Sequence, residues 1–459
     1  MTTATKPVIL VALVTFALLA TVTPPFTSRN AGATTTTWAK TYGGAGSDIA
    51  YSVTPTSDGG YVVAGRTSSF GAGSSDAWVF KLDATGAIIW QKTYGGPAYD
   101  RAWSVQATPG GGFVVAGSTD SFGAGGTDAW VLRIDDAGAV LWQTTYGGAG
   151  TDEAYAIQAM ADGGFVVGAV TGSFGAGGQD YWVLKLDSNG AVQWERTLGT
   201  AAGDTISSVS EGPGGTIIAS GLVADPAATG NNPGKAWVVK LAATGSVLWE
   251  RMIDTNNRQW LGWKAGHPAV ATPDGGALVT GGYGCGGGFA SCMKVLVLKL
   301  APNGNIQWSK TYESLHGIAA ATTSDGGYVV TGRYLRSGTW SLMVLKLDAN
   351  GNAQWKRTYG GSSGGWDVRQ TADGGYAVAA EISPGSGPSE AWILRLAPDG
   401  TISSSCASGI GASVSPGAKK VGLSSASRAY QIGASSAFTA NSSAGPIDTA
   451  ATVVTQCSA

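Results

Sequence analysis

Trp78-Val79-Phe80-Lys81-Leu82-Asp83-Ala84-Thr85-Gly86-Ala87-Ile88-Ile89-Trp90 reads as two short strands joined by a tight turn. Large apolar residues alternate with smaller or basic ones up to Leu82, the period of a strand. Gly86 then supplies the left-handed position that closes a hairpin turn. The closing tryptophan recurs at Trp142, Trp194, Trp249, Trp308 and Trp355, with a degenerate Ile402, and an extra copy, Trp38, precedes the first unit. From Trp38 the intervals are 52, 52, 52, 55, 59, 47 and 47 residues. Self-similarity at this period marks a repeat architecture.

Turn signals divide the first unit into four β segments, at 49–54, 60–66, 77–83 and 87–93. Ser57-Asp58-Gly59-Gly60 makes the turn between the first two, where Asp-Gly tolerates positive φ. Asp162, Asp274, Asp325 and Asp373 are counterparts of Asp58, but Gly110 and Pro213 stand there in units two and four. An exchange of that kind marks a turn residue and not a metal ligand. Gly86, Gly138, Gly190, Gly245, Gly304, Gly351 and Gly400 close the other turn. Four strands in each of seven units specify an all-β, seven-bladed β-propeller of four-stranded antiparallel blades. The seventh unit lacks its last strand, and Trp38 to Tyr42 has no unit of its own. The N-terminal strand is therefore expected to complete blade seven and close the ring. The chain divides into a leader at 1–33, the propeller at 34–402 and an appendage at 403–459.

Trp78, Trp130, Trp182, Trp237 and Trp392 recur in third strands, where stacked blades bury both faces. Lys81, Arg133, Lys185, Lys240, Lys299, Lys346 and Arg395 follow them, one per blade. A sevenfold basic ring suggests an anion site, but uniform recurrence is better explained by stems lying across each blade with their charges paired or reaching solvent.

Leu82 to Trp90 resembles the tryptophan-docking segment of quinoprotein-type propellers and of the propeller lipoprotein of the outer-membrane assembly machinery. The whole unit, with Asp58-Gly59-Gly60-Tyr61-Val62-Val63-Ala64-Gly65, is similar to β-propeller repeats of exported bacterial and archaeal proteins, mostly of unassigned function. The resemblance covers about 365 residues and implies architecture, not activity. A quinone-dependent dehydrogenase would show adjacent cysteines and a calcium site of acidic and amide residues. Cys285 and Cys292 are not adjacent, so no cofactor is carried over.

Charged residues make up 13% of the 459, the net charge is -2, and 72 residues are glycine. That composition suits turn-dense β structure and offers no basic field for nucleic acid. Lys6 followed by the apolar run 7–20 reads as an export signal with a small-residue site at Ala31-Gly32-Ala33, the alternative being an uncleaved anchor. Apart from such an anchor, no membrane association is expected. Four cysteines in an exported chain suggest Cys285 with Cys292 and Cys406 with Cys457, by proximity; free thiols remain the alternative. The tail, rich in Ser, Ala, Gly and Thr, cannot build a core alone.

Of 17 tryptophans, twelve belong to the repeat; Trp103, Trp260, Trp263, Trp340 and Trp366 do not. Trp260 and Trp263 share the connection between blades four and five with Asp254, Asn256, Asn257, Arg258 and His267. The loops of blades one to three are near copies, such as Ser69-Phe70-Gly71-Ala72-Gly73, whereas those of blades four to seven diverge. Candidate ligand-binding residues are therefore Asn257, Arg258, Trp260, Trp263, His267, Tyr334, Arg336, Trp340 and Trp366. Exposed aromatic and cationic groups there suit a glycan or protein ligand. The first reading is a non-catalytic, exported binding or scaffold module. A second is an extracellular enzyme, polysaccharide-active or quinone-dependent, with His267, His316, Asp254, Glu313, Glu381 and Glu390 as candidate groups. A third is a surface-layer or filament component.

Overall fold

The computed structural model describes residues 36–224, 235–254, 259–260, 268–283, 294–313, 315–336, 338–361, 363–383 and 387–402, with the backbone of six short strands between 419 and 458. Of Asp254, Gln259, Trp260, Tyr283, Glu313, Leu315, His316 and Arg336 it describes the backbone alone. The propeller is as expected: seven four-stranded antiparallel sheets form a ring. Blade one consists of Asp48–Pro55, Tyr61–Thr67, Asp76–Leu82 and Ile88–Tyr94, running outward from the channel. The Asp-Gly-Gly turn has Gly59 at φ 82°, closed by a hydrogen bond from the Gly59 amide to the Thr56 carbonyl.

The ring closes as the unpaired tryptophan implied. Trp38–Gly43 lies antiparallel on Glu390–Leu396, with Trp38 opposite Arg395 and Tyr42 opposite Ala391. Blade seven is thus made of both ends of the repeat.

The fourth-strand tryptophans hold each blade to its successor. The indole N–H of Trp38 donates to the Ala84 carbonyl at 3.0 Å, and Trp90, Trp142, Trp194 and Trp249 repeat this in the next four seams. In all seven seams the ring lies over the turn glycine of the following blade. A Cβ on Gly86, Gly138, Gly190, Gly245, Gly304, Gly351 or Gly400 would come within 2.7 to 3.0 Å of indole carbons. These glycines have φ between 71° and 85°, so a side chain is opposed by backbone conformation as well as by space. In five seams a Tyr four residues after the Trp adds a bond: Tyr42, Tyr94, Tyr146, Tyr312 and Tyr359 donate to the carbonyl of the same glycine. Where blade four carries Ile253 instead, the Arg251 guanidinium takes that carbonyl, Gly304 O, at 3.1 Å.

Third-strand tryptophans fill the space inside this clasp. Trp78, Trp130, Trp182, Trp237 and Trp392 are all buried, each within a cluster of side chains shared between successive blades. The copied loops of blades one to three serve the same packing. Phe70, Phe122 and Phe174 cover Trp78, Trp130 and Trp182, with ring centroids 6.2, 6.0 and 5.6 Å apart. Nearer the axis, Ser52, Ser104 and Ser208 accept the amides of Val105, Ile157 and Ala269 from the next blade.

The described segments of the tail pair with blade edges that the repeat leaves open. Lys419–Lys420, Ser424–Ala426, Gln431–Gly433, Phe438–Ala440, Ile447–Asp448 and Thr452–Ser458 add antiparallel strands to blades five, four, three, two, one and seven, in that order. The tail thus follows the ring backwards and needs no core of its own. It covers edges that would otherwise present unpaired amides and carbonyls. The cysteines expected to bridge fall outside the described residues at Cys285, Cys292 and Cys406, and of Cys457 only the backbone is placed.

Replacing Trp38 with alanine removes a fully buried indole at the closing seam, and we expect a loss of about 3–5 kcal/mol in equilibrium urea unfolding. Truncation after Ile402 is expected to leave the far-UV spectrum of the blades intact while light scattering shows concentration-dependent association. A monodisperse truncated protein would show that the tail strands do not act as edge covers.

Candidate functional site

The sevenfold basic ring is internal. Lys81, Lys185, Lys299 and Lys346 pair with Asp58, Asp162, Asp274 and Asp325 of the preceding turn at 2.8 Å, and Arg395 pairs with Asp373. Where the aspartate is missing, the cation turns to carbonyls: Arg133 donates to Phe113, Ile134 and Gly111, and Lys240 to Gly275 at 2.6 Å. The two recurrences read separately from the sequence are therefore one device, whose signal is that the exceptions coincide with rerouted cations. The Lys81 ammonium, with Thr56 and the Gly60 amide, holds the Asp58 carboxyl down to about 2. Partial burial pushes Asp274 and Asp325 up, but Lys299 and Lys346 with their threonines outweigh it and leave both at about 2.

The sequence candidates divide into separate places. Asn257, Arg258, Trp263 and His267 fall outside the described residues, as do Asn256 and the rest of the blade-four connection. Gln259–Trp260 forms a short strand paired with Tyr283 and Gly282. Tyr334, Arg336 and Trp340 belong to one blade-six hairpin, with Arg336 opposite Thr339. The Tyr334 ring packs at the seam with blade five and carries the Lys356 ammonium 5.4 Å from its centroid. Trp366 is elsewhere, on the innermost strand of blade seven, and is 7% exposed.

Trp366 belongs to a feature the sequence reading missed. The first strand of six blades contains a bulge, where one extra residue faces its partner strand: Tyr51, Trp103, Tyr155, Ser207, Ile318 and Trp366. A bulge bends the strand and re-aims its side chain. Five of these residues, from blades one, two, three, six and seven, meet in a single cluster, which places them on the channel axis. Trp366, Tyr51, Trp103 and Tyr155 form a continuous aromatic arc, with centroid separations of 5.6, 4.4 and 5.5 Å. The signal was an aromatic three residues after Asp48, Asp100 and Asp152.

Three guanidiniums rest on this arc at the end of the channel where second strands lead into third. Arg66 donates from Nε to the Tyr51 hydroxyl at 3.0 Å. Arg101 stacks 4.1 Å from the Tyr99 centroid and 5.4 Å from Trp103. Arg333 lies 5.1 Å from Trp366 and pairs with Glu381. Glu153 receives the Tyr155 hydroxyl and stands 3.9 Å from Arg101. Burial pushes the Glu381 carboxyl up, opposed by the Arg333 and Arg66 charges, and burial raises the Tyr155 phenol well above its ordinary value. The aromatic faces are consumed by each other and by cations, so the groups left to meet a ligand are guanidinium N–H donors and Tyr99. Among the described residues no three His, Cys, Asp or Glu side chains gather as metal ligands, and no helix is long and apolar enough to cross a membrane.

No protein-family profile matches the chain. The regulatory protein FlaEY of Caulobacter vibrioides is 25% identical over 258 residues, which is 46% of this chain and 26% of that protein. The chain thus spans about a quarter of the length of its curated relative. Among solved structures, Sqt1 of Chaetomium thermophilum bound to the N-terminus of the ribosomal protein L10 is similar over 77% of this chain and 98% of its own, at 12% identity and a TM-score of 0.43. A Dyadobacter fermentans protein of unknown function covers 78% and 97%, at 14% identity and a TM-score of 0.43.

Because Asp58, Asp274 and Asp325 have lowered values in the fold, their pairs stabilise it above the ordinary carboxylate value of 3.8, and that contribution is lost as pH falls through about 2. Asp274→Asn with Asp325→Asn should cost about 1 kcal/mol per pair near neutral pH, the carboxylates being half-exposed. The same variant should show a shallower decline of the urea midpoint between pH 4 and 2; a decline parallel to the parent's would remove these pairs from the acid response.

Proposed function

We propose that this propeller is an exported, non-catalytic binding module that takes an acidic segment of a protein ligand at the channel mouth of blades six, seven, one and two. The observation that carries the proposal is the cluster of Arg66, Arg101 and Arg333 on the Trp366–Tyr51–Trp103–Tyr155 arc. Three guanidiniums against Glu153 and Glu381 leave one positive charge in excess. Arg, Tyr and Trp are the residues that dominate protein interfaces, and a guanidinium held on an aromatic face has little freedom left to lose. A glycan ligand is less well served, because the rings it would stack on are 1 to 7% exposed. Export rests on the apolar leader alone, and mass spectrometry of the mature N-terminus tests it.

Arg66→Ala with Arg101→Ala should weaken binding of an aspartate- and glutamate-rich peptide, measured by fluorescence anisotropy, by at least about tenfold. The parent affinity should fall as salt rises. Equal affinity in parent and variant, or binding insensitive to salt, would remove the mouth as the site; Trp260→Ala with Trp263→Ala then tests the loops.

A further inference from the structure

Two series of aspartates at the 52-residue interval are used neither by the clasp nor by the channel mouth. Asp48, Asp100 and Asp152 begin first strands and Asp204 stands immediately before one, and Asp76, Asp128 and Asp180 begin third strands. All seven are 0 to 1% exposed. They meet across the seams, the third-strand member of one blade with the first-strand member of the next. Between blades two and three, Asp128 Oδ1 and Asp152 Oδ2 both crowd the place a Cβ on Gly147 would take, the second at 2.8 Å. Between blades three and four, Asp180 Oδ1 and Asp204 Oδ2 crowd Gly199 in the same way, again with the second at 2.8 Å.

One oxygen of Asp128, of Asp152 and of Asp180 is committed, and both oxygens of Asp204 are, its Oδ1 accepting the Ala224 amide at 2.7 Å. Asp152 Oδ2 accepts the Gly148 amide at 2.9 Å and the Ser173 hydroxyl at 2.6 Å, and Asp204 Oδ2 accepts the Thr200 amide at 2.6 Å. Asp128 Oδ2 accepts the Ala124 amide at 3.2 Å and Asp180 Oδ2 the Ala176 amide at 3.0 Å. The other oxygens of Asp128, Asp152 and Asp180 are buried and have no partner among the described residues. Two carboxylates sharing a buried seam with orphaned oxygens incur a large desolvation and repulsion cost unless something positive joins them. In blades four and five the position of Asp128 and Asp180 is taken by Lys235 and Lys294.

We propose that the seams between blades two and three and between blades three and four are divalent-cation sites of the calcium class, in which Asp128 with Asp152 and Asp180 with Asp204 bridge adjacent blades through the ion. All-oxygen, carboxylate-based donor sets select hard cations over zinc or copper. Gly147 and Gly199 let the two carboxylates approach where a side chain would displace them, and the ion ties neighbouring blades together at the face where their loops emerge. Burial pushes Asp128 and Asp180 up to about 6 in the absence of an ion, with the charge of Asp152 or Asp204 adding to it. A proton shared by the pair would relieve the repulsion while leaving one negative charge, and the test separates the two.

The full chain, freed of metal with EDTA and dialysed near neutral pH, is titrated with calcium chloride by isothermal calorimetry and followed by thermal unfolding. Saturable uptake and a Tm that rises with calcium concentration are expected. Asp128→Asn with Asp180→Asn keeps side-chain volume and the acceptor for the loop amides. Its bound calcium should fall by about two ions per chain, with an unchanged circular dichroism spectrum. Should that variant fold poorly, magnesium titrated into the parent gives a second measure, expected to be weaker because magnesium demands a stricter geometry. Absence of uptake and of any Tm response at millimolar calcium would overturn the proposal, as would full calcium uptake by the double variant. A Tm that rises on mild acidification without responding to calcium would assign the seams to shared protons instead.

Discussion

Everything in this propeller depends on an indole ring lying on a glycine. A sheet blade has two faces to bury, and a ring of seven must also register each blade against the next. The fourth-strand tryptophan does both, because its ring covers the following blade's turn while its N–H binds a carbonyl in that turn. Only glycine tolerates a left-handed turn and a ring at under 3.1 Å at once. The two residues are therefore coupled across a seam, and the ring closes only if the last blade receives a tryptophan from the other end of the chain. Trp38 provides it.

Once the seams are held this way, the remaining liability is the outer edge of each blade. Short edge strands with unpaired backbone groups invite pairing with other chains. A Ser-, Ala- and Gly-rich tail supplies little hydrophobic energy, but backbone pairing to an existing edge asks for none. This explains how the described segments of the tail find partners on six blades.

Much of this was legible in advance because it is local. The strand bounds read for unit one agree to within a residue or so with Asp48–Pro55, Tyr61–Thr67, Asp76–Leu82 and Ile88–Tyr94. The basic ring was read as stems with charges paired or reaching solvent, and its partner, the turn aspartate, was read as a turn residue and nothing more. Asp58 is both, since one carboxylate oxygen accepts the Gly60 amide while the other meets Lys81. The site was the least legible part. Trp366 stood among the candidates for the wrong reason, as an irregularity near the diverged loops, when it is one of a regular series of bulge residues.

The sequence by itself determined the blade count, the turn chemistry and the closure, because period, left-handed glycines and a leftover strand are properties of short segments. Tertiary structure alone decided which side chains meet at the axis and in the seams. A bulge turns a residue by displacing the strand register, which no residue type announces. Ser52 and Asp367 are hydrogen-bonded although 315 positions apart, and the charge felt by Asp128 is set by Asp152 of another blade. Such environments arise only when the ring is closed.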